Sequence, residues 1–379
     1  VTHTDPAAVP DAETTAMLRA LDLAGRGVRG ANPLVGAVIL DEQQRVIGAG
    51  YHQGAGTPHA EIAALADART QRADLSGCTL VCTLEPCSHA GRTGPCTEAI
   101  VAAGITRVVF SAHDDHGPAA GGAGWLRTHG VDTVGGLLAA EAQLLNHRWR
   151  AATSSRRPFI TLKTAQTLDG RVAAADGTSQ WITGPESRSD GHSIRRRADA
   201  VLVGTGTVLA DDPRLSARHA DGSTAVRQPL RVAMGLRAVP DDAAIRTGNF
   251  VHLATRDPLE AVKHLYDDGV GHLMIEGGPT IASAFLAAGL VDELFIYQAP
   301  LLLGAGTPAI HSLGIGSLQD ASRWVLDPRG GAALSQCGSD VRLHLSPVVA
   351  ADGRTDPAST QSSHRTITSS KGPSTCSQE

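Results

Sequence analysis

Apolar and polar positions along the chain repeat with two different periods, and the switches between them mark out the elements. Residues 11–28 (DAETTAMLRALDLAGRGV) carry apolar residues at helical spacing. Residues 34–40 (LVGAVIL) and 45–51 (RVIGAGY) read as two strands joined by a short polar turn. A helix is predicted over 59–69 and a strand over 79–84, followed by a polar loop rich in Gly and Cys. A helix near 95–104, a strand at 106–111, a short helix, a strand at 131–134 and a helix at 137–149 complete the series. Helices alternating with strands over this length predict an α/β domain spanning residues 10–150.

Residues 151–158 (AATSSRRP) are small, polar and end in Pro, which reads as a linker. A second α/β series follows over 159–346. Strands are predicted at 159–165, 200–204, 230–234, 250–254, 272–275, 292–298 and 341–345, and helices at 185–197, 258–268 and 279–288. Periodicity then stops. Of the 34 residues from Ser346 to Glu379, 13 are Ser or Thr and none is aromatic. Such a segment buries too little to offset its ordering entropy, so residues 347–379 are expected to form a disordered tail.

Composition narrows the function. Hydrophobic residues make up 42% of the 379 positions but aromatics only 3%, so the cores must be aliphatic. The net charge of −5 and the scarce rings argue against a nucleic-acid partner, which needs a basic face and stacking platforms. No apolar run approaches the roughly 18 residues of a membrane span. The polar, acidic start does not read as a signal peptide, so a cytoplasmic protein is expected. Four of the six cysteines lie within residues 78–96, which reads as metal or catalytic use rather than a disulfide framework.

That cluster contains the first candidate chemistry. His59-Ala60-Glu61 opens a predicted helix, and Glu85-Pro86-Cys87 and Pro95-Cys96 follow. One imidazole and two thiolates suit zinc. Three protein ligands leave a fourth position for water, whose pKa zinc can lower to about 7. Glu61 is placed to move protons without ligating. A lone His-x-Glu is more often a solvated helix start, and a closed structural site would need a fourth ligand. Cys82 is the nearest candidate for one, but a small core residue in an apolar strand is the commoner role.

Nucleobase deaminases carry His-x-Glu followed by Pro-Cys-x-x-Cys. Here eight residues, SHAGRTGP, separate Cys87 from Cys96. With Asn32-Pro33-Leu34-Val35-Gly36 and Gly50-Tyr51-His52-Gln53, this longer form resembles the deaminase half of the bifunctional riboflavin biosynthesis deaminase–reductases. The resemblance implies a cytidine-deaminase-like three-layer α/β domain. It implies zinc ligands at His59, Cys87 and Cys96, and a proton shuttle at Glu61. It places Asn32, His52, His89 and Arg92 in the substrate pocket. The segment Asp114-Asp115-His116-Gly117 departs from the Asp-Pro-Asn-Pro usual in the family, which puts substrate contacts there in doubt.

The second series carries two strand–Gly–helix junctions. Residues 204–209 (GTGTVL) fail the Rossmann spacing, since Leu209 stands where the third glycine belongs. Gly277-Gly278-Pro279-Thr280 opens a predicted helix, whose free N–H groups suit phosphate. Together they favour a nucleotide cofactor. The runs Lys163 to Arg171, Ser179 to Thr183, Gly204 to Pro213 and Ile275 to Thr280 resemble the reductase half of the same family, which is dihydrofolate-reductase-like in fold. The resemblance implies NADPH contacts at Ala165, Trp181, Thr207, Asp211, Gly278, Pro279 and Thr280. It implies substrate contacts at Lys163, Ser179, Arg195, Leu215, Arg218 and Glu276. Arg195 and Arg218 offer planar forks for a substrate phosphate. Without the resemblance, Arg195 would read as one of three solvated arginines on a helix, and Trp181 as core packing. Leu236 departs from the Ser of some members.

The expectation is a bifunctional enzyme using zinc and NADPH at consecutive riboflavin steps. It acts on phosphoribosylaminopyrimidines, with no nucleic-acid or membrane partner and with homo-oligomerisation left open. The rivals are a relative with one activity lost, a relative acting on another aminopyrimidine in specialised metabolism, and a non-enzymatic zinc-dependent RNA-binding module.

Overall fold

The computed structural model describes residues 11–28, 32–54, 56–88, 94–114, 121–329 and 331–348. The first half contains α1 (Asp11–Gly25), β1 (Gly36–Leu40), β2 (Val46–Tyr51), α2 (Ala60–Gln71), β3 (Thr79–Leu84), α3 (Cys96–Ala102), β4 (Arg107–Ala112), α4 (Gly122–Thr128), β5 (Asp132–Gly135), α5 (Ala139–Leu145) and α6 (His147–Ser155). The strands form one sheet in the order β2-β1-β3-β4-β5. β1 is antiparallel to both its neighbours, whereas β3, β4 and β5 run parallel. Side chains of α1 pack on one face, with Val38, Val81 and Val109. Those of α2, α3 and α4 pack on the other, with Ala37, Cys82 and Phe110. The result is three layers around an aliphatic core, as 3% aromatic content requires.

Small residues bring α2 close to the sheet. A Cβ added at Gly50 would lie 2.5 Å from the backbone nitrogen of Ala64, and one at Gly48 would lie 2.6 Å from the Ala64 carbonyl oxygen. Only glycine on β2 allows that approach. It fixes the start of α2, where His59 and Glu61 stand.

The second half contains β6 (Phe159–Thr167), β7 (Arg171–Ala173), α7 (Pro185–Arg197), β8 (Ala200–Gly204), α8 (Thr205–Asp211), β9 (Leu230–Met234), β10 (Phe250–Leu253), α9 (Pro258–Asp267), β11 (His272–Ile275), α10 (Pro279–Ala287), β12 (Glu293–Ala299), β13 (Thr307–Pro308), β14 (Trp324–Leu326), β15 (Leu334–Cys337) and β16 (Asp340–Pro347). A nine-stranded sheet follows the order β10-β9-β8-β11-β6-β12-β16-β14, with β15 also paired to β16. It is parallel from β10 to β12, then antiparallel. α9 and α10 cover one face, and α7 and α8 contribute to the core on the other.

Three sequence expectations need correction. The linker expected at 151–158 is mostly helix, because α6 runs through Ser155. Its polar residues face outward while Arg148 and Ala152 are buried, which the polar-stretch reading overlooked. The helix expected at 137–149 is two helices that break at Asn146, whose side chain serves the loop before β1 rather than a helix. Residues 347 and 348, expected to open the disordered tail, belong to the sheet region instead, since β16 includes Pro347 and the Val348 N–H donates to the Arg323 carbonyl at 2.9 Å. Residues 349–379 lie outside the described residues.

Candidate active sites

In the first domain three elements converge on one point. His59 is the N-cap of α2, Cys96 is the first residue of α3, and Cys87 lies in the loop after β3. His59 Nδ1 is 3.3 Å from Cys96 Sγ and 3.6 Å from Cys87 Sγ. All three potential ligand atoms lie within 4.8 Å of one another. One nitrogen and two sulfurs at that separation fit a tetrahedral zinc with a position left over. Cys82 is not in this group among the described residues. It is buried in β3, its Sγ 3.9 Å from the Val109 carbonyl, and burial raises its thiol pKa well above normal.

The two thiols share one proton. A hydrogen bond from the Cys96 thiol, more than any other contact, lowers the Cys87 thiol, and sharing that proton raises Cys96. The hydrogen bond with Cys87 raises His59. Glu61 is 4% exposed on the first turn of α2, and burial pushes its carboxyl up to about 6.

The structure brings two of the four expected pocket residues to this centre. Asn32 Nδ2 is 2.9 Å from His52 Nε2, and the buried His52 ring stands edge-on to His59, centroids 5.7 Å apart. The Pro58 carbonyl, 3.1 Å from His52 Nδ1, fixes the ring. His89, Arg92 and residues 115–120, which include most of the divergent 114–117 segment, lie outside the described residues. Asp114 itself is buried, and its N–H donates to Glu85 at 3.4 Å. Glu85 also accepts from the Ala123 N–H at 2.8 Å and pairs with His113 Nδ1 at 3.0 Å. It thereby ties the metal loop to the segment after β4 and to the first turn of α4. Its place beside Pro86-Cys87 was the available signal, but sequence alone showed no partner for it.

In the second domain, β6, α7 and the residue after β11 deliver Lys163, Arg195 and Glu276 to one polar floor. Arg195 donates from Nε and, at 2.7 Å, from Nη2 to the two Glu276 oxygens. Its Nη1 donates to the Ser216 carbonyl at 3.0 Å. Burial alone would raise the Glu276 carboxyl, but the charge and hydrogen bonds of Arg195, and then Lys163, outweigh it and hold the group at about 2. Burial lowers the Lys163 ammonium, which lies 5.5 Å from the Tyr297 ring centroid. Arg195 therefore does not present the free fork expected of it: Glu276 holds two of its nitrogens and Ser216 the third. It is not on a solvated arginine face either, since it and Arg197 are both largely enclosed. Arg218 is exposed, its Nε 3.4 Å from Ser216 Oγ.

The two glycine junctions also meet. The Gly278 N–H, at the cap of α10, donates to Thr207 Oγ1 on α8 at 3.3 Å. Gly204 caps α8 and Thr205 begins it, so the run 204–209 is the strand–Gly–helix junction expected of it. Pro279 is the first residue of α10 and Thr280 is exposed beside it. Ala165 is half-buried two residues along β6 from Lys163. Asp211 is exposed at the end of α8. Trp181 is 69% exposed rather than core, with the Arg188 guanidinium 4.5 Å from its ring centroid. It lines a cleft of about 350 Å³ shared with Thr183, Ala299, Leu301 and Asp340. Ser179 is half-buried before α7, and Leu215 is buried with a left-handed backbone, φ 48°. His192, a half-buried α7 residue that sequence reasoning passed over, has its imidazole lowered by burial first and then by the charge of Arg195.

The comparisons with known proteins fit both sites. A family model described as cytidine and deoxycytidylate deaminase zinc-binding region matches residues 10–112, and one described as RibD C-terminal domain matches 158–329. Riboflavin biosynthesis protein RibD of Mycobacterium tuberculosis is 42% identical over 323 residues, covering 84% of this chain and 92% of the relative. The chain belongs to the RibD family. RibD of Escherichia coli is 38% identical, covering 87% of this chain and 98% of its own. The solved structure of Acinetobacter baumannii RibD superposes with a TM-score of 0.79 at 34% identity, covering 89% of this chain and 99% of that one. A Thermotoga maritima diaminohydroxyphosphoribosylaminopyrimidine deaminase/5-amino-6-(5-phosphoribosylamino)uracil reductase gives 0.78 at 30% identity, with the same shares covered. As a RibD, the chain is a bifunctional riboflavin biosynthesis enzyme with a zinc deaminase domain and an NADPH-dependent reductase domain. The rivals that lacked an enzyme activity fall away.

Proposed function

We propose that the chain deaminates 2,5-diamino-6-(5-phosphoribosylamino)pyrimidin-4(3H)-one hydrolytically. It then reduces the ribosyl side chain of the product, giving 5-amino-6-(5-phosphoribitylamino)uracil. The deaminase domain spans about 10–150 and the reductase domain 159–346, and both steps take place in the cytoplasm. The observation that carries the reading is the His59–Cys87–Cys96 group beside a buried Glu61, joined in one chain to the Lys163–Arg195–Glu276 floor.

In the first step His59, Cys87 and Cys96 hold zinc, which when bound supplies the Lewis acidity that makes water a nucleophile near neutral pH. Asn32 and His52 orient the pyrimidine. Glu61 takes the proton of the attacking water and delivers protons to the ring nitrogen and the leaving amine. Its burial keeps it close to the reacting atoms and raises its basicity, both of which suit that role.

In the second step NADPH supplies a hydride to C1′ of the opened ribose. Gly278, Pro279 and Thr280 at the start of α10, with Thr207, would receive the cofactor at the carboxyl ends of the parallel strands, where such sheets bind ligands. Ala165, Trp181 and Asp211 complete its contacts. Lys163, Glu276, Ser179, Leu215 and Arg218 hold the substrate. Arg195 acts by fixing the Glu276 carboxylate, and Arg218 is the arginine left to meet the phosphate.

Zinc stoichiometry, ammonia release and NADPH oxidation measured on one preparation test the reading. One zinc per chain with the two activities in sequence is expected. Ammonia release without zinc, or NADPH oxidation that does not depend on prior deamination, would overturn it.

A further inference from the structure

A series of contacts, buried from Glu293 as far as Leu34, runs from the reductase sheet to the deaminase pocket. At one end Glu293, on β12, is 1% exposed. Arg148, on α6, donates to its two oxygens at 3.1 and 2.8 Å. Thr161 Oγ1 at 2.6 Å and His344 Nε2 at 3.1 Å complete the coordination of that carboxylate. Two residues before Arg148, Asn146 fills the break between α5 and α6. Its Oδ1 accepts the Leu34 N–H at 2.8 Å and its Nδ2 donates to the Leu34 carbonyl at 2.9 Å, both buried. Leu34 lies two residues from Asn32, which in turn meets His52, and the next carbonyl along, that of Val35, accepts the His52 N–H at 2.9 Å.

Both polar groups of one residue are thus clamped by a single side chain 112 positions later. Peptide geometry is stiff, so fixing both the N–H and the C=O of Leu34 leaves little freedom to the Asn32-Pro33 segment before it. Asn146 also stands where a helix would otherwise continue, and Asn is a poor helix interior residue whose side chain competes for backbone groups. Asn32, Leu34, Asn146, Arg148, Gly271 and His272 moreover border one small cavity between the halves.

We propose that Asn146 is a positioning residue for the deaminase: it sets the substrate-binding segment at Asn32 and His52, and the ion pair of its neighbour Arg148 with Glu293 of the other domain holds it in register. The reductase domain is thereby part of the deaminase pocket's scaffold, although it supplies no group to the reaction. The proposal rests on the deaminase reading of Asn32 and His52.

The test uses the full chain with zinc content, deaminase KM and kcat, and reductase kinetics read on each preparation. Asn146→Ala removes both clamping bonds. The expected result is a rise of about tenfold or more in deaminase KM, the loss given by one to two buried hydrogen bonds. Its kcat should stay within about threefold, with zinc and both reductase constants unchanged, because His59, Glu61 and the thiols sit on other elements. Asn146→Asp keeps the acceptor for the Leu34 N–H but sets a carboxylate oxygen against the buried Leu34 carbonyl, so its KM should rise at least as far. Arg148→Met with Glu293→Gln removes the ion pair without leaving a buried charge, and should raise deaminase KM alone. This pair also carries the test if Asn146→Ala cannot be recovered folded. A deaminase KM within twofold of the parent in Asn146→Ala or in the double variant, at full zinc content, would overturn the proposal. So would a parallel fall in both activities. Failure of the unmodified chain to release ammonia would instead overturn the underlying deaminase reading.

Discussion

Single residues divide the work of the two sites by how each is held. Glu61 is buried, beside the ligand group but not in it, so its effect should be on proton transfer alone. Glu61→Gln keeps shape and removes the base, and general acid–base groups typically contribute 10²–10⁴-fold. Ammonia release should fall by at least about 100-fold while zinc content and reductase activity stay near normal, measured by metal analysis and by NADPH oxidation with pre-deaminated substrate. Cys87→Ser should behave oppositely, losing zinc and deamination together. In the reductase half, Glu276 is the residue whose loss should be felt beyond its own contacts. Glu276→Gln leaves Arg195 and Lys163 as neighbouring cations with no carboxylate between them. Reductase KM for substrate should rise by about tenfold or more, since a charged group left unpaired in a partly desolvated site typically costs a few kcal/mol. NADPH affinity, read by fluorescence titration, should change little. The zinc group was legible in the sequence because its spacing is specific, and His52 was legible from a short motif. The Arg195–Glu276 pair was not: 81 residues separate them, and only the fold shows that they neutralise each other.

At the scale of elements, alternating periods identified the main helices and strands of both sheets, since most are strongly apolar and bounded by Gly, Pro or polar turns. Those that escaped are short or weakly patterned: β7, β13, β14 and β15. The burial of β15 alternates between exposed and half-buried positions, and its place in the sheet depends on pairing with β16, which no local pattern encodes. The break at Asn146 escaped for a similar reason, because its cause is Leu34. Close packing between elements was equally invisible. Gly122, the first residue of α4, has no room for a side chain: an added Cβ would lie 1.8 Å from the Pro86 carbonyl oxygen. Pro86 precedes the ligand Cys87, so Gly122→Ala must push α4 and the metal loop apart. Overpacking of this kind typically costs 1–3 kcal/mol. The expected outcome is a lower melting temperature together with weakened zinc retention against a chelator, with reductase constants unchanged. Full zinc retention at the parent's chelator concentration would show that the loop yields without disturbing the ligands.

Across the whole molecule the two halves are joined by more than chain continuity, because α6 is anchored in the reductase sheet while Asn146 grips the deaminase loop. Burial pushes the Glu293 carboxyl up, but Arg148, aided by the His344 hydrogen bond, outweighs it and holds the group well below the usual carboxylate range. A carboxyl depressed on folding contributes stability that is fully present above its unfolded pKa, about 4.3, and is lost as pH falls through the folded value. The junction should therefore keep its full contribution at neutral and mildly acidic pH and weaken only in strong acid. Removing one partner of a buried pair strands the other, typically at a cost of 3–5 kcal/mol. Glu293→Ala should thus lose about that much at pH 7 by denaturant titration, through Arg148 left buried with no carboxylate. Replacing both partners, Arg148→Met with Glu293→Gln, should recover most of the loss, since no uncompensated charge remains. The difference between the parent and Glu293→Ala should shrink as pH falls below about 4, because protonation of Glu293 in the parent removes the same charge. Equal stability of Glu293→Ala and the parent at pH 7 would show that the pair adds nothing to the union of the two domains. A difference that grew towards acid would mean that the carboxyl is not depressed.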